Sequence, residues 1–103
     1  MEKDKLDALR AQHGRIAIAD TPAGELVFRK PTRAEYKKFQ RLARDPEQNE
    51  IADEVLAGDT IISHTREEFV AMLDEFPGLL SGPDINRALK EAAGILKATE
   101  GKS

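Results

Sequence analysis

At Pro31 the chain changes period. Before it, the runs RIAIAD (15–20) and ELVFRK (25–30) are β-prone and separated by TPAG (21–24), whose Pro22 and Gly24 are turn residues, so an antiparallel hairpin over 15–30 is expected. Ile16 and Ile18 would share one face of it, as would Leu26 and Phe28. After it, Tyr36, Phe39, Leu42 and Ala43 recur at helical spacing and are expected to face a core, leaving Lys37, Lys38, Arg41 and Arg44 toward water. Thr32 and Glu35 explain the switch. A threonine oxygen accepts from the free N–H groups of a first helical turn while a glutamate three residues on reaches back, the reciprocal arrangement of a capping box. Pro31 and Tyr36 flank that box at the positions of a hydrophobic staple, which fixes the direction in which the chain enters the helix.

The same logic orders the remainder. Leu6 and Leu9 lie on one side of a short helix (1–14) that Gly14 would end. Asp45, Pro46 and Gln48 read as cap, first helical position and cap partner for a helix whose stripe is Ile51, Ala52, Val55 and Leu56 and whose stop is Gly58. The short piece DTIIS (59–63) is expected to be extended. Thr65 and Glu68 form a second capping box, with His64 and Phe69 placed to staple it, and Phe69, Met72, Leu73 and Phe76 continue the stripe to Pro77 and Gly78. A last helix from about Pro83 would bury Ile85, Leu89, Ala92 and Leu96, with Gly94 weakening its end and the polar KATEGKS (97–103) fraying. The expected fold is one mainly helical α+β domain over 1–103, with an N-terminal helix, a hairpin over 15–30 and a helical part over 32–96, giving about four to five short helices. An isolated hairpin is marginal in water, so its face must pack on helices or its edges must meet another chain; open edges and a small core both favour self-association.

Composition narrows function mostly by exclusion. A chain of 103 residues is one domain by length, and 34% charged beside 40% hydrophobic residues suits a globular protein with solvated faces. A net charge of −3 opposes a primary role in covering phosphate backbone. Without cysteine there is no disulfide, thiolate zinc site or thiol nucleophile, which fits a reducing compartment. The start MEKDKLDALRAQ lacks a signal-peptide apolar stretch and no run is long enough to span a bilayer, so a cytoplasmic location is expected. His13 and His64 stand far apart in sequence without ligand-spaced acids, and Ser63 beside His64 sits in no nucleophile elbow. The terminal GKS lacks the glycine that a phosphate loop needs five residues earlier, where Leu96 stands. Glu67 and Glu68 suit the positive end of a helix dipole. No catalytic set, metal site or cofactor is therefore expected. Arg29, Lys30, Arg33, Lys37, Lys38, Arg41 and Arg44 are placed to line one basic ridge, read first as a solvated face and alternatively as a nucleic-acid-binding adaptor surface.

LRAQHGRIAIAD, LVFRKPTRAEYKKF and TREEFVAMLDEFPGLLSGPDINRALKEAAG, in that order, resemble the small tail assembly chaperone family of long-tailed bacteriophages and prophages. The resemblance covers most of the chain, from about Leu9 to Gly94. Its most specific pieces are Phe28-Arg29-Lys30-Pro31-Thr32-Arg33-Ala34-Glu35, then Glu68-Phe69 followed by Phe76-Pro77-Gly78, leading to Ala92-Ala93-Gly94. The chain departs from the family around TIISHT, where a proline and often a cysteine-containing strand are expected and this sequence has Thr65 and no cysteine. The resemblance implies a non-enzymatic protein of the host cytoplasm, absent from the finished particle. It would bind the tape measure protein while the tail tube polymerises, self-associate, and in many relatives exist also as a longer form made by ribosomal frameshifting. A tape measure is a very long helix-rich chain whose apolar faces self-associate until the tube covers them, and an apolar groove with a charged exterior would shield them. In this reading Arg29 and Arg33 pair with acids of a neighbouring subunit or client. Phe28, Phe69, Met72 and Phe76 supply apolar contact wherever they are exposed.

Overall fold

The computed structural model describes residues 2–96; the tail over 97–103 lies outside the described residues. In chain order the elements are α1 (Lys3–His13), β1 (Ile16–Thr21), β2 (Gly24–Arg29), α2 (Arg33–Arg44), a 3-10 turn (Asn49–Ile51), α3 (Ala52–Thr60), α4 (Arg66–Glu75), a second 3-10 turn (Leu79–Ser81) and α5 (Pro83–Ala93). The chain is thus mainly helical, with five helices and one antiparallel hairpin near its N-terminus.

The hairpin pairs Ile16 with Arg29, Ala17 with Phe28, Ile18 with Val27 and Ala19 with Leu26. Pro22 and Ala23 form the turn between Thr21 and Gly24. Thr21 Oγ1 donates to the Gly24 carbonyl (2.7 Å) and accepts from the Ala23 N–H (3.1 Å), while Gly24 takes φ +105°. Strand alternation places Ala17, Ala19, Leu26 and Phe28 on one face, and all four are buried in the main core with Ile85, Ala88, Leu89 and Ala92 of α5. Those α5 residues recur at i, i+3, i+4 and i+7, the spacing of a helix laid on a sheet. Alanines on both sides of the contact let α5 approach the strands closely. Ile16 and Val27, on the other face, are buried as well.

The outer edge of β2 is not left open. Ile61 bridges Phe28, the Ile62 N–H donates to the Val27 carbonyl (2.9 Å), and the Val27 N–H donates to Ser63 Oγ (3.0 Å). The expected extended piece therefore acts as a third, very short strand. It removes one of the two edges on which hairpin-mediated self-association would rest.

Both capping boxes form. Thr32 Oγ1 accepts from the Glu35 N–H (3.1 Å) and Glu35 Oε1 accepts from the Thr32 N–H (2.9 Å); Thr65 and Glu68 repeat the pair at 3.1 and 2.8 Å. Four expectations need correction. The helix expected at Pro46 starts at Ala52, because Asp45 closes a local turn instead: its carbonyl accepts from the Gln48 and Asn49 N–H groups and its carboxylate from the Glu47 N–H and Gln48 Nε2. The helical phase is reset, and Ile51, placed in the buried stripe by sequence, is 45% exposed. Gly58 does not end α3, which runs on to Thr60, whose buried hydroxyl donates to the Leu56 carbonyl (2.8 Å). Leu96 does not join the α5 stripe, because Gly94 takes φ +87° and ends the helix, leaving Ile95 and Leu96 exposed beyond it. Finally, no residue of α2 is buried: Tyr36, Phe39 and Leu42 are half-buried and Ala43 is exposed.

Candidate partner-binding surfaces

The strand-to-helix junction is bound internally. Arg29 leaves the end of β2 and donates to both carboxylate oxygens of Glu35 (2.9 and 2.8 Å), and also to the Asp59 carbonyl (2.7 Å) and the Lys30 carbonyl (3.0 Å). A bidentate guanidinium–carboxylate pair of this geometry is among the stronger hydrogen-bonded contacts. The Arg29 hydrogen bonds hold the Glu35 carboxyl down at about 2, against the opposing effect of burial, with the Thr32 N–H adding to the same direction. Reciprocally, the pairing with Glu35 raises Arg29 above its ordinary value. One turn away, the Asp59 carboxylate of α3 receives Lys38 Nζ of α2 at 2.7 Å and Arg66 Nη2 of α4 at 2.6 Å. Burial would push the Asp59 carboxyl up, but hydrogen bonds from Lys38 and Arg66 outweigh it and hold the group below the usual range. Gly58 makes room for this junction, since a Cβ there would stand 3.0 Å from Arg66 Nη1.

Arg29 and Lys38 are thereby committed to intramolecular partners. The basic ridge expected from the sequence shortens to α2's outer face, with Arg33, Lys37, Arg41 and Arg44 exposed. Phe28 and Phe69 are core residues with no surface to offer. Met72 and Phe76 are half-buried and line a shallow depression of ≈ 380 Å³ with Ala23, His64 and Ala71. Of the six residues singled out for partner contact, the structure leaves Arg33, Met72 and Phe76 reachable and does not bring Arg33 to the other two in any one cavity.

Sequence spacing alone does not connect Ser63 with His64, yet Ser63 Oγ lies 2.8 Å from His64 Nδ1. Because that oxygen already accepts from the Val27 N–H, its single hydrogen is directed to Nδ1, which puts the imidazole proton on Nε2. The pair serves the edge of β2. Among the described residues no group of three or more His, Asp or Glu side chains is placed to hold a metal ion.

The surface that sequence reasoning missed lies where α2 was expected to be core. Tyr36 and Phe39 stack at a tilt, ring centroids 5.4 Å apart and planes at 44°, over a cleft between α2, α3 and α5. Leu56, Leu89, Ala93 and Ile95 complete its apolar wall, with Asp53, Asn86 and Lys90 also lining it, and its volume is ≈ 240 Å³. Ile95, 56% exposed, extends the apolar surface past the end of α5. The available signal was the Ala93-Gly94-Ile95-Leu96 sequence, which places two aliphatic residues immediately after a helix stop. No family model, curated protein or solved structure matches this chain.

Proposed function

We propose that this chain is a tail assembly chaperone of a long-tailed bacteriophage or prophage. It has no catalytic role and works in the host cytoplasm, keeping the tape measure protein soluble while the tail tube polymerises around it. The observation that carries the reading is the open apolar groove of α2, α3 and α5, because a solvated aromatic pair facing Leu56, Leu89 and Ile95 suits an amphipathic client helix. A rim holding Asp53 and Lys90 gives that groove charge of both signs, which favours no strongly acidic or basic client. The family resemblance over Leu9–Gly94 supplies the identity of the client. Copies of itself, and a longer frameshifted form, are the further partners that the resemblance implies.

The nucleic-acid reading has less support, since Arg29 and Lys38 are spent on Glu35 and Asp59 and the whole chain carries a net charge of −3. Co-expression decides between the two. With the tape measure protein, the wild-type chain is expected to raise the client's soluble yield and to co-purify with it, and Ile95→Asp, at an exposed position, is expected to abolish both. A client that stays insoluble beside a chain that binds DNA with steep salt dependence would replace the chaperone reading with the adaptor one.

A further inference from the structure

The outer face of α2 carries Arg33, Lys37, Arg41 and Arg44 at spacings of four, four and three residues. At 3.6 residues per turn they fall within an arc of about 80° and span about 16 Å of helix. All four are exposed, and none has an ion-pair partner among the described residues. Elsewhere on the same molecule, a groove of ≈ 440 Å³ between α3 and α4 carries Glu50, Asp53, Glu54 and Asp74. These four carboxylates are likewise exposed and without an ion-pair partner among the described residues, and no lysine or arginine lines the groove. Val70, 44% exposed, and Leu73 give it an apolar floor.

We propose that the four-cation face of α2 in one copy seats in the acid-rimmed groove between α3 and α4 of a second copy, so that the chain assembles head to tail. Within one molecule each cluster repels itself, since like charges one helical turn apart are destabilising. Seating one on the other relieves both at once. The shapes also agree: arginine and lysine stems are apolar and their tips charged, so the stems cover Val70 and Leu73 while the guanidinium forks reach the carboxylates at the rim. An anionic polymer is the weaker occupant of the ridge, because any approach to the molecule also meets the acidic groove. Ridge and groove share no residue, which makes the contact heterologous and leaves a free ridge at one end of every assembly and a free groove at the other. Growth is therefore open rather than limited to a pair. The inference stands on charge and shape alone and does not depend on the chaperone reading.

Sedimentation velocity on the full chain tests it, with two neutralised variants that leave the apolar groove of α2, α3 and α5 untouched. Lys37→Gln/Arg41→Gln/Arg44→Gln removes the ridge and Glu50→Gln/Glu54→Gln/Asp74→Asn the acid rim; all six sites are exposed, and far-UV circular dichroism checks that each variant is folded. At about 0.02 M salt the wild type is expected to grow with concentration, and at about 0.5 M to fall to monomer, because exposed charges are then screened within about 4 Å. Each variant alone is expected to lose association at least about tenfold, while an equimolar mixture gives one-to-one dimers and nothing larger, the intact ridge of one meeting the intact groove of the other. A wild type that is monomeric at low salt overturns the proposal, whether or not it binds DNA there. So do variants that assemble as the wild type does, or a mixture that stays monomeric. The salt series on the wild type decides the matter even where a variant misfolds.

Discussion

Glu35 occupies two roles within one carboxylate. It accepts from the Thr32 N–H to close the capping box and from Arg29 to fasten the strand end to the helix start. The first role was legible in the sequence because both partners lie within four residues of each other; the second was not, because it depends on how Pro31 turns the chain. A carboxyl held down from 4.5 to about 2 in the folded state stabilises the protein above the unfolded value and loses that contribution as pH falls from about 4.5 through about 2. Glutamine preserves the cap acceptor and removes the charge, so Glu35→Gln isolates the ion pair. Urea unfolding is expected to show the variant weaker by on the order of 2 kcal/mol at pH 7, with the gap closing toward pH 2. A constant gap across that range would assign the effect to packing. Thr32→Ala and Thr65→Ala each remove one capping oxygen and are expected to cost about 1 kcal/mol in denaturant melts, whereas melts unchanged from wild type would mean that neither cap holds its helix.

Among the elements, the hairpin shows where pattern reading stops. Alternation correctly put Ile16 with Ile18 and Leu26 with Phe28, but it gave no reason to prefer the face bearing Ala17 and Ala19 as the main core. That preference comes from α5, whose Ala88 and Ala92 allow a close approach only over small residues, a constraint between segments some seventy residues apart. Ala19→Leu is therefore expected to destabilise by about 1–3 kcal/mol through overpacking, although it raises β-side hydrophobicity. Thermal melts check this; a Tm at or above wild type would mean that the layer between β1 and α5 has room to spare. The late start of α3 failed to read for a related reason. Asp45 and Pro46 satisfy a turn as well as a helix start, and only the packing of the 3-10 turn against α2 selects between them. Distances inside one turn were readable, as at Thr65 and Glu68, while Asp59, joined to Lys38 and Arg66 from two other helices, was not.

For the molecule as a whole, the two docking surfaces obey different physics and so can be separated by solvent alone. The groove of Tyr36, Phe39, Leu56, Leu89 and Ile95 is mostly apolar, and apolar burial is insensitive to simple salt and strengthened by strongly hydrated anions. The contact between the α2 ridge and the acidic groove is an exposed ion-pair array, weakened wherever the Debye length falls below the spacing of the charges. Between about 0.05 and about 0.5 M salt, self-assembly is therefore expected to disappear while the complex with the client persists, now with single copies of this chain along it. Ile95→Asp is expected to do the reverse, releasing the client and leaving assembly intact. Sedimentation and client pull-down on the same samples read both at once. If salt dissolves the client complex together with the self-assembly, the client is held by the charged surfaces, and the apolar groove of α2, α3 and α5 is not the seat of chaperone activity.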